Sequence, residues 1–225
     1  MKEERKYVEQ TSEERQAENE YAQWSQNQPI MSIDRLNAPS VNEVEMEFIN
    51  LAAPSKILDV GCGNGRRLFS YLDENGIPYV GIEKFDRLVT IEKYRPNIVI
   101  TDLLNLDTSN LDERIKEIST VTILGGSFGG LFGLGKHQKA WDILTDILPV
   151  GGKVIFDTIL INGFETDAEL GVMKLFSQAP PQFFLSKLQL KEVWDKANLK
   201  IIEKRDLPIM GGRDTIRYYL LEKKD

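Results

Sequence analysis

The sequence predicts an α/β fold: a doubly wound, mostly parallel seven-stranded sheet whose last strand runs antiparallel. Three observations predict it. Short β-branched runs recur along the chain, separated by stretches with helical spacing, in five β-α units. A glycine-rich turn, ILDVGCGNGRR (57–67), joins the first of these runs to a helix. At the end, Leu199–Arg205 and Thr215–Glu222 are linked through Pro208 and Gly211-Gly212, a connection that suits an antiparallel pair.

The elements follow in order. Residues 1 to about 20 are mostly charged and polar, which predicts a solvated helix. Tyr21 and Trp24 follow at helical spacing. We divide the chain into an N-terminal helical extension or lid, 1–38, and a main domain, 39–225. Ser40 with Glu43 forms a capping-box pattern, and Val41, Val44, Phe48 and Ile49 give the next helix an apolar face. Buried parallel strands are predicted at Lys56–Val60, Tyr79–Glu83, Ile98–Thr101, Val121–Leu124 and Lys153–Thr158. Helices are predicted at Gly65–Asn75, stopped by Gly76, and at Asp86–Tyr94, stopped before Pro96. Two more lie at Lys136–Leu148 and Gln189–Ala197, with 159–187 irregular between strand and helix.

Composition excludes several chemistries. The net charge of −7 repels phosphate backbones, so a nucleic-acid partner is not expected. No run approaches the ~20 apolar residues of a membrane span, so no membrane partner is expected either. The N-terminus has no apolar signal core, and with one cysteine, Cys62, no intrachain disulfide is possible; both fit a cytoplasmic protein. His137 is the only histidine, which argues against a histidine-rich metal site or a Ser-His-Asp triad, and no metal is expected.

The turn carries the strongest signal. Asp59 ends the strand, and Gly61, Gly63 and Gly65 alternate around Cys62 before the helix begins. Glycines permit a tight turn and close backbone approach, and the helix N-terminus favours an anionic group. A dinucleotide fingerprint would place its third glycine one residue later, where Arg66 stands. Gly-x-Gly-x-Gly led by an acidic residue resembles the first motif of the class I, Rossmann-like S-adenosylmethionine-dependent methyltransferases of small-molecule type.

The resemblance continues, spanning roughly 40–225. Glu83, in YVGIEKFD (79–86), matches the acidic residue that takes the ribose hydroxyls, with Lys84 beside it. Asp102 matches the residue that meets the adenine amino group, and Leu103 and Leu104 would flank the ring. LGGSFGGLFGLGKH (124–137) resembles the loop after the fourth strand of small-molecule members. Gly125 and Ser127 would face the cofactor, and Gly126 replaces the usual Asn. The D/N-P-P-Y motif of amide- and base-methylating enzymes is absent. The implied cofactor is S-adenosyl-L-methionine, with S-adenosyl-L-homocysteine as product, and the implied acceptor is an N or O atom of a small metabolite, N slightly favoured. Methylation of a protein side chain and a catalytically silent binding module are the alternatives, in a monomer or homodimer.

Methyl transfer from a sulfonium needs alignment above all. His137 is the candidate base should the acceptor be a hydroxyl, its other reading being an exposed or capping histidine. Asp157 and Asn162, after the fifth strand, are candidates to orient a substrate, though Asp157 suits a structural role beneath a turn equally well. Tyr21 and Trp24 in the lid, with Phe128 and Phe183, complete the expected acceptor side. Cys62 reads as a small packing residue.

Overall fold

The computed structural model describes residues 5–27, 41–125, 127–131, 133–161, 171–173, 181–209 and 214–225. Asn162 lies outside the described residues, as do Gly126 and Ser40. In chain order the elements are α1 (Ser12–Asn27), α2 (Glu43–Ala52), β1 (Ile57–Val60), α3 (Arg66–Glu74), β2 (Tyr79–Glu83), β3 (Ile98–Ile100) and β4 (Thr120–Ile123). Then come α4 (Leu134–Ile147), β5 (Lys153–Ile161), β6 (Gly171–Met173), β7 (Gln182–Phe184), α5 (Lys187–Lys196), β8 (Leu199–Ile209) and β9 (Asp214–Lys223).

Seven strands form one sheet in the order β3-β2-β1-β4-β5-β9-β8. β1 to β5 are parallel, and β9 enters antiparallel between β5 and β8. The predicted fold class is therefore the observed one. The order reverses between β1 and β4, whose carboxyl ends diverge to leave the crevice that open α/β sheets use for ligands.

Strand side chains alternate between two cores. Leu58, Val80, Val121 and Val154 point to the face covered by α4 and α5, where Trp141, Leu144, Val193 and Trp194 are buried. Ile57, Ile98, Ile155 and Tyr218 point to the face covered by α2 and α3, against Phe48, Ile49, Phe69 and Leu72. Both faces of the central strands β1 and β4 are thus dry, while β3 at the edge leaves Ile100 exposed.

Three local expectations are corrected. The capping box of α2 sits two residues beyond the Ser40–Glu43 pattern: the Asn42 side chain accepts from the Glu45 amide, and Glu45 accepts from the Asn42 amide. Asn42 also donates to the Tyr218 hydroxyl at 2.8 Å, so the cap doubles as the anchor of α2 on β9. Asp86–Tyr94 is not an α-helix; only a 3-10 turn forms at Asp86–Leu88. The Arg95 guanidinium donates to the Val89 carbonyl at 3.1 Å, satisfying a group that a helix would otherwise have paired, and to the Asp86 carboxylate at 2.5 Å. Finally, β5 runs three residues past Thr158, and β6 pairs with β7, so part of 159–187 is regular. The longer β5 is matched by β9, which pairs with it from Lys153 to Ile161.

Candidate functional site

The site begins at the carboxyl end of β1. Gly61, Gly63 and Gly65 adopt φ of 70°, 56° and 74°, the left-handed region where a side chain would be strained. The Gly61 amide donates to the Ile82 carbonyl at 2.8 Å, which ties the turn to β2. A Cβ on Gly65 would overlap the Phe69 ring, so this glycine lets α3 close onto the turn. A Cβ on Gly63 would meet nothing within 4 Å, so the turn presents an open backbone surface there.

Two carboxylates brace the turn. Asp59 is buried and accepts from the Thr122 hydroxyl at 2.7 Å, across the β1–β4 pairing. Glu83 is buried at the end of β2, where one oxygen accepts from the Gly63 amide and the other from the Phe85 amide, both at 2.9 Å. Each oxygen keeps a lone pair for a further donor. Glu83 therefore does more than sequence pattern alone assigns it: it also holds the glycine turn in place. Cys62 leans into the space that Gly81 leaves open, since a Cβ there would overlap its Sγ. Burial, then the Asp59 and Glu83 carboxylates, push its thiol far above the ordinary range, so the thiol stays protonated. A mid-strand glycine such as Gly81 is the signal that marks this close approach.

Beyond β3, Asp102 accepts from the Leu104 amide at 3.0 Å and pairs with Lys84 at 2.9 Å. Burial opposes its ionisation. The Lys84 ammonium, the Leu104 amide and the charge of Lys136 outweigh that and hold the carboxyl below its usual range. Leu103 is buried and Leu104 half-buried beside it. Asp59, Gly61, Cys62, Leu124 and Gly125 line a cleft of about 160 Å³, closed on the α2 side by Val41 and Glu45.

The second part of the site lies past β4 and β5. Gly125, at φ 70°, donates its amide to Asp157 at 2.8 Å. Asp157 also lines a neighbouring cavity with Phe128, His137, Phe156, Gln182 and Phe183. The Gly125–Asp157 hydrogen bond is thus the partition between cleft and cavity. Ser127 opens the 3-10 turn Ser127–Gly130 next to this partition. His137 is not exposed, and it does not cap a helix with its side chain. It sits in the first turn of α4, 3% exposed, between Phe128 and Phe183 at ring separations of 5.8 and 5.6 Å. Burial drives its imidazole down to about 4, against a smaller opposing pull from the Leu131 backbone, so it is neutral at physiological pH.

α1 crosses above these elements. Tyr21 is half-buried, and a Cβ on Gly130 would come within 2.8 Å of its ring. Burial and then the Glu83 carboxylate raise its phenol, so the hydroxyl keeps its proton. Trp24 stands 5.9 Å from Tyr21, ring to ring, and is 37% exposed. The Glu18 carboxylate binds the Lys136 ammonium at 2.5 Å, a tether from α1 to α4 that sequence reading did not find. Two charged residues 118 apart leave no local signal.

No protein-family model matches the chain. The tRNA U34 carboxymethyltransferase of Cellvibrio japonicus (strain Ueda107) is 29% identical over 119 residues, 49% of this chain and 34% of that protein. The match thus spans about a third of that relative's length. Solved structures align more fully. The glycopeptide N-methyltransferase MtfA superposes with a TM-score of 0.62 at 15% identity, over 84% of this chain and 99% of that one. The Burkholderia thailandensis 1,6-didemethyltoxoflavin-N1-methyltransferase gives 0.64 at 14% identity, over 98% and 94%. An amino pentose methyltransferase from Micromonospora echinaspora gives 0.57 at 15% identity, over 86% and 98%. These likenesses define the class: the chain has the Rossmann-like fold of the class I S-adenosylmethionine-dependent methyltransferases.

Proposed function

We propose that the protein is a methyltransferase that takes its methyl group from S-adenosyl-L-methionine and delivers it to an N or O atom of a small molecule. One observation carries this reading. The three-glycine turn with positive φ opens a bare backbone surface at Gly63, and Glu83 is hydrogen-bonded to that same residue at the crevice of a β3-β2-β1-β4-β5-β9-β8 sheet. The neighbouring structures are methyltransferases by name, and the chain spans nearly all of several of them.

The residues present fit the cofactor. Gly61, Cys62, Gly63 and Gly65 would line the amino-acid end with bare backbone, and the partial positive charge at the α3 N-terminus would suit its carboxylate. Glu83 would hold the ribose, with Lys84 steadying Asp102 nearby. Asp102, Leu103 and Leu104 would bound the adenine, and Gly125 and Ser127 would lie toward the reacting end. When bound, this group supplies an electrophilic methyl on a sulfonium. The protein's own part is to align the acceptor and exclude water. Tyr21 and Trp24 of α1, Phe128 and Phe183 would cover the acceptor side, with His137 and Asp157 at its base.

Isothermal titration calorimetry with S-adenosyl-L-homocysteine tests the binding half. A measurable affinity that falls about tenfold or more in Gly63→Val is expected, and no heat with either nucleoside sinks the reading. Labelled methyl donor incubated with a cell extract tests the other half. Counts in the small-molecule fraction support it; counts in protein or RNA overturn the small-molecule assignment.

A further inference from the structure

We propose that the cavity between β5, β7 and the first turn of α4 takes an aromatic amine that is uncharged at neutral pH, with His137 accepting a hydrogen bond from its N–H. The proposal rests on the methyltransferase reading above and narrows its substrate.

Placement is the first argument. The cavity and the cofactor cleft share one wall, the Gly125 amide bound to the Asp157 carboxylate at 2.8 Å. A group seated in the cavity is therefore beside the cleft's reacting end. The second argument is the imidazole. His137 is 3% exposed; beyond the weak pull of the Leu131 backbone on its ring, the imidazole has no hydrogen bond among the described residues, which leaves a nitrogen to accept one from a ligand. A buried polar group without a partner is costly, and a ligand N–H or O–H removes that cost. The flanking rings of Phe128 and Phe183 hold the imidazole edge in place.

Charge decides among acceptors. Among the described residues lining the cavity there is no Lys or Arg, so a carboxylate or phosphate acceptor has no counter-ion. The walls are mainly Phe128, Phe156, Phe183, Phe184, Leu185 and Leu190, which strip water from any cation without replacing it. Asp157, which accepts from Gly125, is the single opposite charge that the described lining offers a cation. An alkylammonium would also have to shed a proton before reacting, and an imidazole held near 4 is too weak a base for it. The same weakness disfavours a phenol, whose proton must leave as its oxygen attacks. An aromatic amine needs no base at the transfer step. Its nitrogen lone pair forms the bond to the methyl carbon as the carbon–sulfur bond breaks toward sulfur, leaving a thioether and an arylammonium. That arylammonium is acidic enough to give its proton to water on release. The cavity is small, about 40 Å³, so it admits the reacting end of the acceptor rather than its whole body.

The test uses the full chain and reads binding before activity. Quenching of tryptophan fluorescence is titrated with aniline, benzylamine and benzoate, each with and without saturating S-adenosyl-L-homocysteine. Trp141 reports on the cavity, lying 5.4 Å from the Phe128 ring. We expect aniline to bind at least tenfold more tightly than the two charged probes. We expect His137→Phe to lose that preference and His137→Asn to keep part of it, both with unchanged nucleoside affinity. Tighter binding of benzylamine or benzoate, or an unaltered aniline affinity in His137→Phe, overturns the proposal. So does faster methylation of phenol than of aniline. Failure of the nucleoside to bind, with the aniline preference intact, removes the methyltransferase reading and leaves the cavity's specificity standing.

Discussion

Glu83 shows how one residue is asked to do two things. Its carboxylate accepts from the Gly63 and Phe85 amides, so it shapes the turn, and each oxygen keeps a lone pair for the proposed ribose contact. Charge-assisted hydrogen bonds to amides and hydroxyls are roughly twice as strong as neutral ones. Glu83→Gln is therefore expected to weaken S-adenosyl-L-homocysteine binding about tenfold or more, near 1.4 kcal/mol, with a smaller loss of thermal stability. Calorimetric titration alongside a melting curve separates the two effects; equal affinity in the variant would remove Glu83 from the cofactor contacts.

His137 makes a prediction of a different kind. Its imidazole is driven from the ordinary 6.5 to about 4 by burial, so the folded state resists protonation. Above 6.5 the folded and unfolded forms are both neutral and the residue costs nothing through protonation. As pH falls below 6.5 the unfolded chain takes up the proton and the folded one does not, so stability declines until about 4. Each pH unit in that window costs about 1.4 kcal/mol, roughly 3 kcal/mol in all. Urea midpoints at pH 7, 6, 5 and 4 should fall less steeply in His137→Leu than in the parent chain. Parallel slopes would show that this imidazole is not the group titrating.

At the scale of elements, the glycine turn and the N-terminal helix carry opposite kinds of information. The turn was legible because its constraint is local: alternating glycines between a strand and a helix demand positive φ, and all three have it. Gly65→Ala combines a strained φ with overlap on Phe69 and should cost about 1–3 kcal/mol, visible as a lower denaturation midpoint. The 3-10 turn at Asp86–Leu88 was not legible, because the Arg95 side chain, six residues past Val89, donates to the Val89 carbonyl in place of a helical amide. The burial of His137 was equally hidden. Nothing adjacent to it in sequence says that Phe183, from β7, will close over the ring.

The sequence offers α1 as a helix and, through Tyr21 and Trp24, as a lid, but not the contacts that dock it, Glu18–Lys136 and Tyr21 against Gly130. We propose that residues 1–38 act as a cover for the main domain, 39–225. Removing residues 1–30 should lower turnover at least tenfold and speed nucleoside dissociation, as followed by stopped-flow fluorescence. Unchanged kinetics would assign α1 to packing alone. Glu18→Lys places two like charges against each other and should give a milder version of the same defect.

Across the whole molecule, the alternation of apolar runs with helical spacing was enough to foresee a seven-stranded sheet with an antiparallel strand, because parallel strands must be dry on both faces. The chemistry of the acceptor was not foreseeable in that way. It depends on which side chains three distant segments bring to one cavity, and no spacing within any one of them encodes that. Charge pairing likewise emerges only in the fold: cross-strand pairs such as Lys200–Glu222, at 2.5 Å, and Asp206–Arg217, at 2.7 Å, sit on the β8–β9 ribbon where register places them opposite one another.

The position of β9 has a consequence for how such a chain comes into being. It follows every other strand in sequence yet lies inside the sheet, between β5 and β8. A nascent polypeptide emerging from the ribosome therefore holds β5 with a bare flank, and β8 with nothing to lean on, until the final strand is released. During that interval the exposed strand flank invites pairing with other chains. Productive synthesis should accordingly depend on slow closure by β9 being shielded, and translation-arrested chains ending before Asp214 should pellet where the 225-residue chain stays in the supernatant.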